Sequence, residues 1–522
     1  MTVPDVLLIV LDSQRADRLG CYGYPAAITP NLDSFAREAV LFEQAISPAQ
    51  WTIPTHASLF TGLYPTAHRL TQYRQTLGAN VPHLVEILSA SGYRTIGLSN
   101  NALVGVLKNG FSRGFDTFHS YSGALPNVLE VSTHPTGPLG RVFQRTGCQL
   151  RRVVRPIQNR LGQSDLAYRI ALRTRTIPLW AKLANARGQN ERSVEDLCRL
   201  LEVRNKTRRR KPLFLFLNLM ETHMPFRPPD AFLDRVAPGL RSCKETRDII
   251  RAWTGDAYRW ESLLDPPLED LERRVLDQLY DAEVAYQDDY LGRLFDVLAK
   301  RDDRANMLTI ITADHGQALG DHNCFGHSFG AHQELIHVPL LLHWPDQIKS
   351  TRVSEPVSTR RIFHTLLDVG GCPSAIKSGL EPAEVRRLAL QRTLNSCDPE
   401  DNAAVAEVYP ALHSVRVMET RRARIASQKR ARSLRRVIVK DHFKLIKIDD
   451  VPEELYNLES DPLELSNIIA EAPMIAEALD HQLSRMVDRV KSRGRPLSPD
   501  AQLDVGGDEQ LKQRLRGLGY IE

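Results

Sequence analysis

The run Val6–Leu11 is uninterrupted apolar sequence, VLLIVL, and Asp12 stands directly at its end. An apolar run this short is a strand covered on both faces, the situation of a parallel sheet flanked by helices. The same texture recurs at Thr95–Leu98, Leu213–Leu219, Met307–Ile311 and Val338–Leu342. Helical patterns lie between these runs. Pro30 opens one with Leu32, Phe35, Ala36 and Ala39 on its apolar face and Thr29 as its cap, and others cover Val81–Ser91, Leu276–Lys300 and Thr359–Val369. Short buried strands alternating with amphipathic helices predict an α/β fold with a mostly parallel central sheet.

After about residue 400 the texture changes. Arg436–Ile448 and Glu454–Leu458 read as short paired strands with a turn at Asp449-Asp450, and Met474–Lys491 reads as an amphipathic helix. The expected organisation is a catalytic α/β domain over 1–400 and a smaller α+β subdomain with a tail over 401–522. Residues from about 120 to 200 break the α/β rhythm with basic helical sequence and are taken as an insertion. A chain of 522 residues, 42% hydrophobic and 25% charged, is ordinary for a soluble globular protein and excludes fibrous or disordered classes.

Charge is uneven along the chain. Net charge is only +5, which gives no argument for specific nucleic-acid binding. Between Arg141 and Asn190, however, eleven basic residues face the single acid Asp165, and further basic clusters span Arg208–Lys211 and Arg421–Arg436. Such a segment is either a solvated helix face or a surface for a polyanion or an acidic membrane. The seven cysteines are scattered and form no CxxC pair, which fits free thiols in a reducing compartment. Val6–Leu11 is too short for a signal segment and lacks a basic flank, so a cytoplasmic location is expected.

Polar residues gather where the apolar runs stop: Asp12 after the first, His223 after Leu213–Leu219, and Asp314-His315 after Met307–Ile311. In open α/β sheets the site lies beyond the carboxyl ends of the strands, so three strands aim their chemistry at one edge. Asp12 alone could cap a turn. Joined to Asp314 and His315 it makes a site for one hard or borderline divalent cation, calcium, manganese or magnesium rather than zinc. His223, in the proline-rich METHMPFRPP, is either a surface residue or an acid suited to protonating a leaving group.

The ordered set of motifs resembles the sulfatase-like branch of the alkaline phosphatase superfamily. The matching stretches are VLLIVLDSQRADRLGCYGYPAAITPNLDSFA, TIPTHASLFTGLYPTAH, GYRTIGLSNN with GFSRGFDTF, and FLFLNLMETHMPF. LYDAEVAYQDDYLGRLFDVL, TADHGQALGDHNCFGHSFGAHQELIHVPLLLHWP, ELYNLESDPLELSN and the closing LKQRLRGLGYIE continue the series. The resemblance implies an alkaline-phosphatase-like, doubly wound sheet with a smaller C-terminal subdomain, and chemistry on an anionic ester. It implies Asp12, Asp314 and His315 as metal ligands and Thr52 as the nucleophile touching that metal. It further implies His223 as the acid at the leaving group and His327 in a place where relatives hold a lysine or histidine that steadies the anion.

Departures from the family pattern direct the functional expectation. Sulfatases make formylglycine from Cys or Ser in a C/S-x-P-x-R pattern, whereas this chain has Thr52 there and His56 in the arginine position. Oxidising a threonine gives a ketone, so the aldehyde-hydrate mechanism is closed. Ser13 replaces a second aspartate, and Ser99-Asn100-Asn101 stands where relatives carry a lysine. A threonine beside an Asp/His metal set resembles phosphotransferring relatives and predicts a hydrolase or transferase of phosphate mono- or diesters or phosphonates. Two alternatives stay open: a sulfuric ester hydrolase without formylglycine, and a non-catalytic anion-binding protein. Retention of several buried charges that need a cation weighs against the last.

Overall fold

The computed structural model describes residues 3–105, 107–122, 129, 189–205, 211–256, 259–372, 379–395 and 398–493. Its centre is an eight-stranded sheet. In chain order the strands are β1 (Asp5–Leu11), β2 (Val40–Phe42), β3 (Arg94–Ser99), β4 (Thr117–Ser120), β5 (Leu213–Leu219), β6 (Met307–Thr312), β7 (Leu340–His343) and β8 (Thr351–Val353). Across the sheet they run β8-β2-β7-β6-β1-β5-β3-β4. β1 pairs in parallel with both β5 and β6, and only β7 runs against its neighbours β6 and β2.

The apolar run of β1 divides between two cores. Val6, Leu8 and Val10 pack on one side, with α2 (Thr52–Thr61), α3 (Leu84–Ala90) and α6 (Arg361–Val369). Leu7, Ile9 and Leu11 pack on the other, with α1 (Pro30–Arg37), α4 (Asn190–Asn205) and the long α5 (Asp270–Ala299). Successive side chains of a strand point to opposite faces, so a strand covered on both must be apolar throughout. This is why the run carries no polar residue before Asp12.

A second, antiparallel sheet follows: β9 (Ala403–Val408), β10 (Arg435–Lys440), β11 (Phe443–Ile448) and β12 (Val451–Asn457), with α7 (Leu412–Gln428) and α8 (Pro473–Arg493). It shares an apolar cluster with the larger lobe. Ile46, Leu263, Phe329, Leu335 and Ile336 pack there with Ala404, Val415, Met418, Val437 and Ile446. Polar contacts cross the same seam. His332 Nε2 lies 3.1 Å from Glu454 Oε2, and the Gln333 N–H donates to Glu464 Oε2. His322 sits between Glu334 Oε1 at 2.9 Å and the Glu464 carbonyl at 3.1 Å, with its ring stacked 3.6 Å from that of His332.

Several local expectations are corrected. Thr29 stands at the N-cap of α1, but its hydroxyl makes no capping bond: it accepts from the Gly20 N–H and donates to Asp33. α5 begins at Asp270, more than one and a half turns before Leu276, because its first turn is mostly polar and lies near the surface. Arg436–Ile448 is two strands joined at Asp441, whose φ of 52° turns the chain, and β9 was not anticipated at all. The turn at Asp449-Asp450 forms with both residues at positive φ. Most of the basic stretch from 120 to 200, and the closing LKQRLRGLGYIE, lie outside the described residues. Among those described, no helix is long and apolar enough to cross a membrane.

Candidate active site

Asp12 leaves β1 at the edge of the sheet, and Ser13 after it takes a left-handed φ of 63°, a conformation a non-glycine residue holds only under constraint. The constraint comes from α5 and from β6. Tyr280 donates its hydroxyl to the Ser13 carbonyl and accepts from the Arg15 N–H, while the Ser13 N–H donates to Asp314 Oδ1 at 3.2 Å. The turn thus lifts Asp12 toward Asp314-His315, which follow β6. Thr222, after β5, donates its hydroxyl to the Asp12 carbonyl at 2.6 Å.

The structure brings Asp12, Asp314 and His315 together. One ligating atom from each of Asp12, Asp314 and His315 lies within 4.8 Å of the others, and all three side chains are buried. His315 Nε2 is 3.8 Å from Asp12 Oδ1 and 3.5 Å from Asp314 Oδ2. His315 donates from Nδ1 to the Gly316 carbonyl, so Nε2 presents its lone pair to the carboxylates. Burial and the neighbouring Asp12 hold the Asp314 carboxyl well above the carboxylate range, and burial pushes His315 down to about 4. Asp314 Oδ2 has no hydrogen-bond partner. Two buried carboxylates, an orphaned oxygen and an imidazole lone pair fit a divalent cation, which would satisfy all of them at once.

Thr52 is the first residue of α2, after the extended Trp51, and it is fully buried. Its Oγ1 lies 3.4 Å from His315 Nε2, so the hydroxyl faces the same point as the carboxylates. His56 follows one turn later. Its Nδ1–H donates to the Thr52 carbonyl at 2.9 Å and lies 3.5 Å from Asp314 Oδ2. The rest of the ring packs among Phe60, Phe111 and Phe216, and burial pushes its pKa down to about 4. His56 is therefore neutral at pH 7 and brings a dipole where relatives bring a cation. Asn101 spends its amide on Asp12 Oδ2 at 2.6 Å.

His223, His327 and His315 form a row of rings. His327 lies 4.4 Å from His315 and 5.1 Å from His223, centroid to centroid. His223 Nδ1–H donates to the Met224 carbonyl at 2.7 Å. Behind His327 stand two residues that the sequence reading passed over, Glu261 and Gln317. Gln317 sits in the same DHGQ motif as His315 and was within reach of that signal. Glu261, in RWESLLD, had no motif around it and is found only by its tertiary contact.

The family model described as Sulfatase matches residues 4–372. Iduronate 2-sulfatase of Mus musculus is 26% identical over 359 residues, covering 65% of this chain and 59% of the mouse protein. This chain therefore spans less than two thirds of that relative's length. The multifunctional alkaline phosphatase superfamily protein PehA of Trinickia caryophylli is 28% identical over 367 residues, covering 66% of this chain and 68% of PehA. The solved phosphonate monoester hydrolase of Agrobacterium radiobacter superposes with a TM-score of 0.59 at 21% identity, over 94% of this chain and 96% of that one, a likeness of fold.

Proposed function

Since the chain belongs to the sulfatase family, we propose that it is a metal-dependent hydrolase or transferase cleaving a phosphate mono- or diester or a phosphonate through Thr52. The observation that carries this reading is the Thr52 hydroxyl, buried at the start of α2 and 3.4 Å from His315 Nε2 beside the two carboxylates. Likeness to PehA, a multifunctional alkaline phosphatase superfamily protein, is consistent with a phosphorus ester.

Asp12, Asp314 and His315 would hold the divalent ion. When bound, that ion favours ionisation of the Thr52 hydroxyl and neutralises charge on the ester oxygens. Thr52 Oγ1 forms a bond to phosphorus while the bond to the leaving alcohol breaks. In its imidazolium form His223 gives that alcohol a proton and is left neutral. His223 then takes a proton from the water or acceptor alcohol that displaces Thr52. His327 faces the anion, and neutral His56 fixes the Asp314 side of the site.

A second reading, a sulfuric ester hydrolase with an unmodified nucleophile, is favoured by the likeness to iduronate 2-sulfatase. One panel separates the two: aryl phosphodiester, aryl phosphonate and aryl sulfate, assayed with manganese, calcium and magnesium. The expected result is turnover of a phosphorus ester, a fall in kcat/KM of about 1,000-fold or more in Thr52→Ala, and label from the substrate trapped on Thr52. Full activity of metal-loaded Thr52→Ala would refute the threonine mechanism.

A further inference from the structure

We propose that Glu261 is a positioning residue that acts through His327, fixing the orientation and tautomer of the ring with Nδ1–H turned to the carboxylate and Nε2 turned away from it. The kinetic part of this proposal rests on the hydrolase reading above.

Glu261 precedes a two-residue strand, Ser262–Leu263, that pairs antiparallel with Cys324–Gly326. The ladder ends there, and the chain runs on into His327-Ser328. Glu261 closes that end with its side chain. Oε2 accepts from the backbone N–H of His327 at 3.1 Å and of Ser328 at 2.9 Å, and Oε1 lies 3.3 Å from the His327 N–H. The same Oε1 lies 3.0 Å from His327 Nδ1, and Gln317 Oε1 lies 3.2 Å from that nitrogen. An ionised Glu261 and the Gln317 amide oxygen both accept, so Nδ1 carries the hydrogen and Nε2 carries the lone pair.

The close approach is built into the backbone. Gly326 has a φ of 93°, and a Cβ there would lie 2.3 Å from the Trp260 carbonyl oxygen and 2.6 Å from Glu261 Oε2. Any other residue would push the carboxylate out of its place. Only a carboxylate also meets the donor pattern, because a glutamine would turn an NH2 against either the backbone N–H groups or the ring N–H. The chain keeps this acid buried at a cost, since burial pushes its pKa up to about 7. The ring so held packs against both His315 and His223, the metal-ligand candidate and the candidate acid.

The test is a double-mutant cycle on the full, metal-loaded chain with Glu261→Gln, His327→Ala and the pair, together with Glu261→Asp. Loss of this support is expected to lower kcat/KM on the aryl phosphodiester about 10–100-fold in Glu261→Gln. Melting temperature and metal content should stay near wild type, and the loss should vanish in the His327→Ala background. Glu261→Asp, which keeps both oxygens and withdraws them by one methylene, should retain part of the activity. Additive losses in the cycle, or undiminished activity in Glu261→Gln, would overturn the proposal.

A readout independent of turnover is 15N NMR of histidine-labelled protein at pH 8, with the His327 signals identified by their loss in His327→Ala. Wild type should show His327 as the Nδ1–H tautomer, and Glu261→Gln or Glu261→Asp should shift it toward Nε2–H. A tautomer unchanged in every folded Glu261 variant sinks the positioning role, whatever ester the enzyme proves to cleave. Absence of activity on every ester combined with the expected tautomer shift would sink only the hydrolase reading.

Discussion

Asp12 and Asp314 are fully buried within reach of one imidazole, and without a cation the opposition of their charges, in a medium that screens poorly, adds to burial in holding the Asp314 carboxyl well above the carboxylate range. Stripping the metal with a chelator is therefore expected to lower the melting temperature of the wild type. Asp314→Asn removes one of the opposed charges. It should melt below wild type with metal present and at or above wild type with chelator, the crossing being read by calorimetry in both conditions. A variant that melts lower in both would show that the site does not depend on a cation. These acids were legible because each stands at the end of an apolar run, where strand geometry fixes where a residue must emerge. Glu261 was not, because nothing in its neighbours says that an antiparallel pair will carry it against His327. His56 was found by its place in the pattern, but its neutrality follows from the surrounding phenylalanines, which the local sequence does not announce.

At the scale of elements, the turn after β6 decides whether Asp314 and His315 point the same way. The Gly316 N–H donates to the Leu335 carbonyl at 2.8 Å, and a Cβ on Gly316 would lie 2.1 Å from the Glu334 carbonyl oxygen. Gly316→Ala must displace either the turn or the short helix Gln333–Ile336. The expected cost is about 1–3 kcal/mol of stability, with weaker metal binding measured by calorimetric titration. Unchanged metal affinity would mean that the turn yields without moving His315. β1, β5 and β6 were readable from continuous apolar sequence, whereas β9, the short AAVAEV, was not. Its small side chains look unremarkable until they pack at the seam between the lobes. The reversal of β7 was equally silent, because an apolar run says that a strand is buried and not which way it runs.

Across the whole molecule the lobes are pinned by His322 and His332. His322 can satisfy both Glu334 and the Glu464 carbonyl only with hydrogens on both ring nitrogens, and the pairing raises its pKa to about 9. Its folded value lies above the unfolded value of 6.5, so the stabilisation is fully present below pH 6.5 and is lost as pH rises through 9. Wild type should lose about 2–3 kcal/mol between pH 7 and 10 from this group. His322→Gln should show a flatter profile in denaturant titrations at each pH. Identical profiles would place the alkaline sensitivity elsewhere.

The cluster shared by the two lobes also bears on the order in which the chain is made. Ile46, Leu263, Phe329, Leu335 and Ile336 are synthesised before the partners Val437, Ile446 and Tyr456 that cover them. A nascent chain stopped near residue 400 therefore carries a bare apolar face immediately beside Ser328, whose hydroxyl in the finished protein bonds to Ser414 on α7. The side of His327-Ser328 that α7 covers is therefore closed by residues translated after the larger lobe.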